Sequence, residues 1–130
     1  MAKLPVRTVE IFDPMRYNNI INEFAMLDAS ALCNIAASGG RHEGTYRDGM
    51  GRIAEQGSLE KAIHSRTEQV IEHMLKIENP YNAEDWEKSN YKRQVGLIAK
   101  WIKDMVRNAE EALILIESWR MRYGHNNDKS

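Results

Sequence analysis

The feature that most constrains this chain is a run of apolar side chains near its C-terminus. From residue 91 to residue 123 these side chains recur at alternating spacings of four and three residues. The set is Tyr91, Val95, Ile98, Ile102, Met105, Ala109, Ala112, Ile116, Trp119 and Tyr123. A repeat near 3.5 residues, sustained over this length, is typical of a helix that packs with left-handed geometry against its neighbours. We therefore predict one long C-terminal helix that belongs to a bundle or a coiled coil.

This predicted helix is too long for one small bundle to cover. At about 1.5 Å per residue it reaches roughly 50 Å, more than the other helices predicted below. We therefore expect part of it to project and to pair with a second copy of the chain or with another protein. The predicted interface comprises Tyr91, Ile98, Ile102, Met105, Ile116, Trp119 and Tyr123.

An N-terminal helix is predicted from its start signal and its apolar spacing. Asp13 followed by Pro14 is typical of a helix start, with the carboxylate as N-cap and proline in the first turn. Apolar residues then recur at helical spacing to about Ala37, with a break expected near Asp28.

A further amphipathic helix is predicted between these two. It starts near Ser58 and stops at Asn79-Pro80 because the residue before a proline avoids the helical conformation. Asn82 is the predicted cap of the element that follows. Together these elements predict a single all-α domain over residues 1–130, an up-and-down bundle of three or four helices. Within it we expect an extended arm at 1–12, a glycine-rich connector at 38–58 and a disordered tail at 124–130.

Composition narrows the functional classes. The 130 residues carry a formal net charge of −1, which favours neither nucleic acid nor an anionic membrane as a partner. The N-terminus lacks the apolar stretch of a signal peptide, and no window approaches the roughly 20 apolar residues of a membrane span. The single cysteine, Cys33, excludes a disulfide framework within one chain. These features predict a cytoplasmic protein without a membrane segment.

The glycine-rich segment 38–58 is the first candidate for a binding site. Glycines allow backbone amides to approach a phosphate, and Arg41, Arg47 and Arg52 supply positive charge. No strand precedes the segment, and the Gly-Lys-Ser/Thr element of a phosphate-binding loop is missing. We favour a connector between helices, with a protein-binding loop or a small-anion site as alternatives.

Two other patterns are read as structural. Glu60, His64, Glu68 and Glu72 follow one another at spacings of four, and a charged outer face explains this ladder better than a metal site does.

His73 lies beside the apolar positions of its helix, where we expect a buried histidine hydrogen-bonded to a neighbouring helix. No catalytic residue, metal or cofactor is predicted.

Basic residues between 88 and 107 form a candidate nucleic-acid face. The group comprises Lys88, Lys92, Arg93, Lys100, Lys103 and Arg107. Tyr91 and Trp101 lie among them and resemble the stacking residues of single-strand binders. Acidic residues dilute this charge, and we favour a solvated helix face.

Three fragments resemble a known family. They are MGR at 50–52, AIHSRTEQVIEHMLKI at 62–77, and a tryptophan followed by an arginine-bearing helix. Over residues 48–107 the chain resembles the bacterial helical family known as domain of unknown function twenty-nine, in which a Met-Gly-Arg element precedes a helix with Ser-Arg and Glu-His-Leu-Leu-Lys. The resemblance implies an all-helical domain and no assigned activity. It also suggests a polar cluster between helices, formed by Arg66, His73, Trp86 and Arg93.

Three functional interpretations follow from the sequence. The leading one is a helical bundle without catalytic activity that acts by protein–protein association, as a homo-oligomer. The second is a small-ligand or phosphate-binding protein, or an enzyme, that uses the segment 38–58. The third is a nucleic-acid-associated subunit that uses the basic face at 88–107.

Overall fold

The computed structural model describes residues 12–83 and 86–124. These residues form five α-helices, which are α1 (Pro14–Ile21), α2 (Ala29–Ala37), α3 (Glu43–Arg47), α4 (Gln56–Glu78) and α5 (Tyr91–Tyr123). They contain no strand, and none of their helices is long and apolar enough to cross a membrane. The all-α prediction and the long C-terminal helix are confirmed. Residues 1–11 of the predicted arm and 125–130 of the predicted tail lie outside the described residues.

The N-terminal helix is divided in two, as the expected break near Asp28 indicates. Asp13 caps α1, because its side chain accepts the backbone N–H of Met15 at 3.1 Å. Asp28 caps α2 in the same way and accepts the N–H of Ala31 at 2.7 Å. Each aspartate satisfies an amide that the first turn of a helix leaves unpaired. The chain therefore makes two short helices in place of one.

The helices α4 and α5 form an antiparallel hairpin. Arg66 Nε donates to Glu111 Oε1 at 2.9 Å, and His73 Nε2 faces Asp104 Oδ2 at 3.8 Å. Arg66 and His73 are seven residues apart on α4, and their partners Glu111 and Asp104 are seven residues apart on α5 in the opposite chain direction. This spacing is one heptad, so the same register holds along the hairpin.

The connection between these helices differs from the prediction at one position. Pro80 follows α4 and begins a single 3-10 turn, Pro80–Asn82. The predicted cap Asn82 ends that turn and starts no α-helix. The cap of α5 is Asn90, whose Oδ1 accepts the N–H of Arg93 at 2.8 Å. The prediction was wrong at Asn82 because either asparagine can cap a helix, but only Asn90 precedes a continuous apolar stripe.

The glycine-rich segment 38–58 is folded against α5. It contains α3 and a π-helical turn, Asp48–Arg52, and α4 begins at Gln56, two residues before the predicted Ser58. Arg122 of α5 donates to the carbonyl groups of Gly49 and Ile53 at 2.8 and 2.9 Å. The segment thus joins α2 to α4 through a short helix and a turn that Arg122 of α5 holds in place.

The core is built around the C-terminal half of α5. Between residues 108 and 119 nearly every side chain is buried, because α4 packs on one side and α1, α2 and α3 pack on the others. The buried apolar residues there are Ala109, Ala112, Leu113, Ile114, Leu115, Ile116 and Trp119. Full burial of a side chain the size of leucine contributes about 1.5–3 kcal/mol.

This core corrects part of the predicted interface. Ile116 is 1% exposed and Trp119 is 5% exposed, so the chain itself covers both. Met105 and Tyr123 are half-buried and pack against the same core. The prediction was wrong for Ile116 and Trp119 because an apolar stripe does not show whether its partner comes from the same chain.

Candidate functional site

Two of the three arginines in the glycine-rich segment pair with nearby carboxylates. Arg47 contacts Glu43 through Nε at 3.0 Å and Nη2 at 2.6 Å. The Nε of Arg52 lies 3.0 Å from Oδ1 of Asp48. Each partner is one helical turn away, so the guanidinium groups do not converge on a common anion position. The structure therefore does not bring together the predicted arginine cradle.

The third arginine, Arg41, adjoins a network of buried charges that joins the segment to α5. The side chain of His42 is 7% exposed, with Nε2 3.0 Å from Glu110 Oε1 and Nδ1 3.5 Å from Glu111 Oε2. Glu111 also accepts the Nε–H of Arg66. The ring of His42 thus lies between the two carboxylates, and the network joins side chains from three elements.

His42 reaches this network through an uncommon backbone conformation. Its φ is 67°, in the left-handed region that non-glycine residues rarely adopt. Such a conformation costs on the order of 1 kcal/mol, and the contacts of the buried ring offset it. The sequence analysis missed both His42 and Glu110. One signal for Glu110 was the position of Glu110-Glu111 inside the apolar stretch 109–116. Successive helical residues lie about 100° apart, so one of the two carboxylates is expected near the buried face.

The cluster suggested by the family resemblance is divided among separate partners. Its members are Arg66, His73, Trp86 and Arg93. Trp86 is buried and packs against Trp101, with ring centroids 5.9 Å apart and ring planes tilted by 30°. Arg93 is exposed, and its Nε donates to Ser89 Oγ at 3.1 Å. These side chains support the hairpin and form no common site.

His73 is buried, as predicted, and its ring faces Asp104 of α5 at 3.8 Å, but its hydrogen bond lies within its own helix and not, as expected, to the neighbouring one. Nδ1 donates to the carbonyl oxygen of Gln69 in the same helix at 2.7 Å. On α5, Lys100 Nζ donates to Asp104 Oδ2 at 2.9 Å. That hydrogen bond, with the charges of Lys100, Arg107 and His73, lowers the pKa of Asp104 below its ordinary value. Lys100 and Arg107, two members of the predicted basic face, thus already have a carboxylate partner.

The ladder on α4 is a charged outer face with two tertiary contacts. Glu60 accepts the indole N–H of Trp119 at 2.9 Å, and His64 Nδ1 lies 3.1 Å from the hydroxyl of Tyr17 in α1. Among residues 12–83 and 86–124, no group of three His, Cys, Asp or Glu side chains is arranged to hold a metal ion. Cys33 packs against the core, where burial raises the pKa of its thiol and so lowers its thiolate content.

The N-terminal half of α5 exposes apolar side chains to solvent. Tyr91 is 81% exposed, Val95 is 51% exposed and Ile102 is 44% exposed. Ile98 is half-buried beside them. We call these four residues the hairpin face. The predicted interface residues Tyr91, Ile98 and Ile102 therefore lie on surface that a partner can reach.

No family model matches this chain, and neither a curated protein nor a solved structure does. The resemblance over residues 48–107 therefore stays a prediction. The function is inferred from the geometry of the chain alone.

Proposed function

We propose that the protein acts by self-association and that two copies pack together through the hairpin face. One observation carries this proposal. The apolar stripe of α5 runs without a break from Tyr91 to Tyr123, but the residues that the structure describes cover only part of it. From Met105 onward the stripe packs in the core. Before that residue, Tyr91, Val95 and Ile102 are exposed, so the uncovered length of the same stripe is available to a second helix.

The free energy gained by burying the hairpin face is large enough to offset the cost of bringing two copies together. Fully burying one large apolar side chain contributes roughly 1.5–3 kcal/mol, and a two-fold interface uses each residue twice. The total exceeds the lower estimates of the cost of association, which run from about 4 to 15 kcal/mol. Contiguous exposed apolar residues mark interaction sites, whereas an isolated one such as Met121 needs no explanation.

A second copy of the chain is the simplest partner, because it presents the same uncovered face. A two-fold pair of antiparallel hairpins gives a four-helix arrangement, the common way in which helical hairpins bury apolar faces.

Sedimentation velocity over a wide range of protein concentration tests the proposal. Wild type is expected to form a dimer as concentration rises. The double variant Val95→Asp with Ile102→Asp is expected to stay monomeric with unchanged helix content, because both side chains are exposed in the single chain. Met121→Asp is the matched control, since Met121 is 55% exposed on the same helix but lies outside the stripe.

Two results would contradict self-association through the hairpin face. The first is a wild type that sediments as a monomer at every concentration. The second is a Met121→Asp variant that dissociates as completely as the double variant, because dissociation would then reflect added charge and not the position of that charge.

A further inference from the structure

One side of the N-terminal half of α5 carries only basic side chains. Successive residues of an α-helix are rotated by about 100°, so residues at suitable spacings share a side. Between residues 92 and 107, an arc of about 100° on the helix surface contains five basic residues and Gly96, and no other residue. We call these five the basic arc, which comprises Lys92, Arg93, Lys100, Lys103 and Arg107.

Three members of the basic arc have no acidic partner among the described residues. Lys92 and Lys103 are exposed and form no ion pair there. Arg93 is exposed as well, and its Nε donates to the neutral hydroxyl group of Ser89. The described part of the chain therefore leaves three positive charges at this surface without compensation.

The other two members, Lys100 and Arg107, share one carboxylate. Lys100 Nζ lies 2.9 Å from Oδ2 of Asp104, and Arg107 Nη1 lies 3.5 Å from Oδ1. The two basic side chains are still 67% and 56% exposed. Because one carboxylate neutralises only one of two charges, the dilution expected from the sequence is partial. The basic arc is thus positive, although the 130 residues carry a formal net charge of −1.

The composition of the basic arc distinguishes between anionic partners. The arc has no aromatic ring of the kind on which the bases of a single strand stack. It also has no apolar side chain to anchor a protein partner or to enter a bilayer. Its length from Lys92 to Arg107 is about 22 Å, roughly two thirds of one turn of B-DNA. A row of cations without other contacts suits a duplex, which carries one phosphate charge per about 1.7 Å.

We propose that the basic arc binds double-stranded nucleic acid through its phosphate groups. The lysine and arginine side chains lie against the backbone of the duplex and release its condensed counterions, which drives binding at any sequence. None of the five residues belongs to the hairpin face, so this proposal does not depend on self-association. A dimer formed through the hairpin face carries two basic arcs.

Fluorescence anisotropy of the full chain with a labelled DNA duplex of roughly 20 base pairs, two helical turns, tests the proposal. We expect a dissociation constant of about 10⁻⁴ to 10⁻⁶ M at physiological salt, the range of sequence-independent binding. About four phosphate contacts predict an affinity that is roughly 100-fold weaker at about 200 mM salt than at about 50 mM. The proposal is overturned if the duplex does not bind even at about 50 mM salt.

Two double variants show whether the basic arc makes the contact. Lys92→Glu with Lys103→Glu is expected to weaken binding by about 100-fold or more, because it leaves the arc without net charge. Helix content is expected to stay unchanged, since both residues are exposed. Arg16→Glu with Lys61→Glu is the matched control, an equal change of charge at exposed residues beside the cavity between α1 and α4. An equal loss of affinity in the control contradicts the proposal, since net charge and not the arc would then determine binding.

Two further ligands test the other anionic partners. They are single-stranded DNA of the same length and vesicles of phosphatidylserine and phosphatidylcholine, and we expect both to bind more weakly than the duplex. Tighter binding to the single strand overturns the proposal, because stacking on an exposed ring such as Tyr91 would then contribute. Tighter binding to the vesicles also overturns it, and Val95→Asp with Ile102→Asp would then abolish that binding because the hairpin face supplies the apolar contacts.

Discussion

The two halves of α5 follow one sequence pattern and lie in opposite environments. In the C-terminal half, Ala109 and Ile116 are 0% and 1% exposed. In the N-terminal half, Tyr91 and Ile102 are 81% and 44% exposed. The alternation of four and three residues is the same in both. Periodicity therefore shows which residues share a face of the helix, and the covering of that face depends on other parts of the chain.

The difference arises because different helices reach each half. The hairpin partner α4 lies beside both, with Glu60 bonded to Trp119 near one end and His73 facing Asp104 nearer the other. In the described part of the chain, α1 and α2 add further cover only from about Met105 onward. Several helices thus share one core around the C-terminal half, while the N-terminal half has one neighbour and leaves part of its stripe exposed.

The largest expected effect compares the same substitution in the two halves. Ile116→Ala leaves a cavity in the core and is expected to lower the free energy of unfolding by about 2–5 kcal/mol. Ile102→Ala is expected to change it by less than about 0.5 kcal/mol, as surface substitutions do. Urea unfolding at low protein concentration measures both values without a contribution from association. Equal losses in the two variants would show that the exposed half is as tightly packed as the buried half.

An alanine scan of two glycines is expected to give effects of opposite sign. A Cβ on Gly49 would lie 2.8 Å from Ser118 Cβ and 3.2 Å from Leu115 Cδ2, so Gly49→Ala is expected to cost about 1–3 kcal/mol. Gly96→Ala meets no neighbour and is expected to stabilise the single chain by about 0.4–1 kcal/mol. Urea unfolding measures both effects. Gly51→Ala is the control for Gly49, because a Cβ there would also meet nothing within 4 Å.

The sequence predicted the helices well because their signals are local. The stripe of α5 begins and ends at the residues where the helix does, and Asp13 caps α1 as expected. The pairs Glu43–Arg47 and Asp48–Arg52 were also within reach of sequence analysis, since carboxylate and arginine are four residues apart in each. The arginine cradle was predicted because this local pairing was not weighed against it.

The buried network was beyond sequence analysis because it depends on distant segments. His42 and Glu110 are 68 residues apart in the chain and meet only when the glycine-rich segment packs on α5. Neither residue belongs to a motif, and the left-handed conformation of His42 is set by the turn that precedes α3. The division of α5 into a covered and an exposed half depends in the same way on where α1 and α2 dock.

The smallest expected effect lies at the boundary between the two halves, where Asp104 joins Lys100. The pKa of Asp104 is lowered, chiefly by the hydrogen bond from Lys100. The ionised carboxylate therefore stabilises the folded chain above the ordinary carboxyl pKa of about 3.9, and this contribution is lost as pH falls through the lower pKa of the folded state. Since Lys100 is largely exposed, we expect a contribution of about 1 kcal/mol or less.

Urea unfolding between pH 6 and pH 3 measures this contribution, and two variants isolate it. Asp104→Asn is expected to lose less stability than wild type as the pH falls, because it has no carboxylate to protonate at this position. Lys100→Gln retains the carboxylate and removes the hydrogen bond that lowers its pKa, so it is expected to flatten the same part of the profile. If the stability of Asp104→Asn fell with pH in parallel with that of wild type, the Lys100–Asp104 pair would make no net electrostatic contribution to the free energy of unfolding. The two halves of α5 would then differ only in their apolar packing.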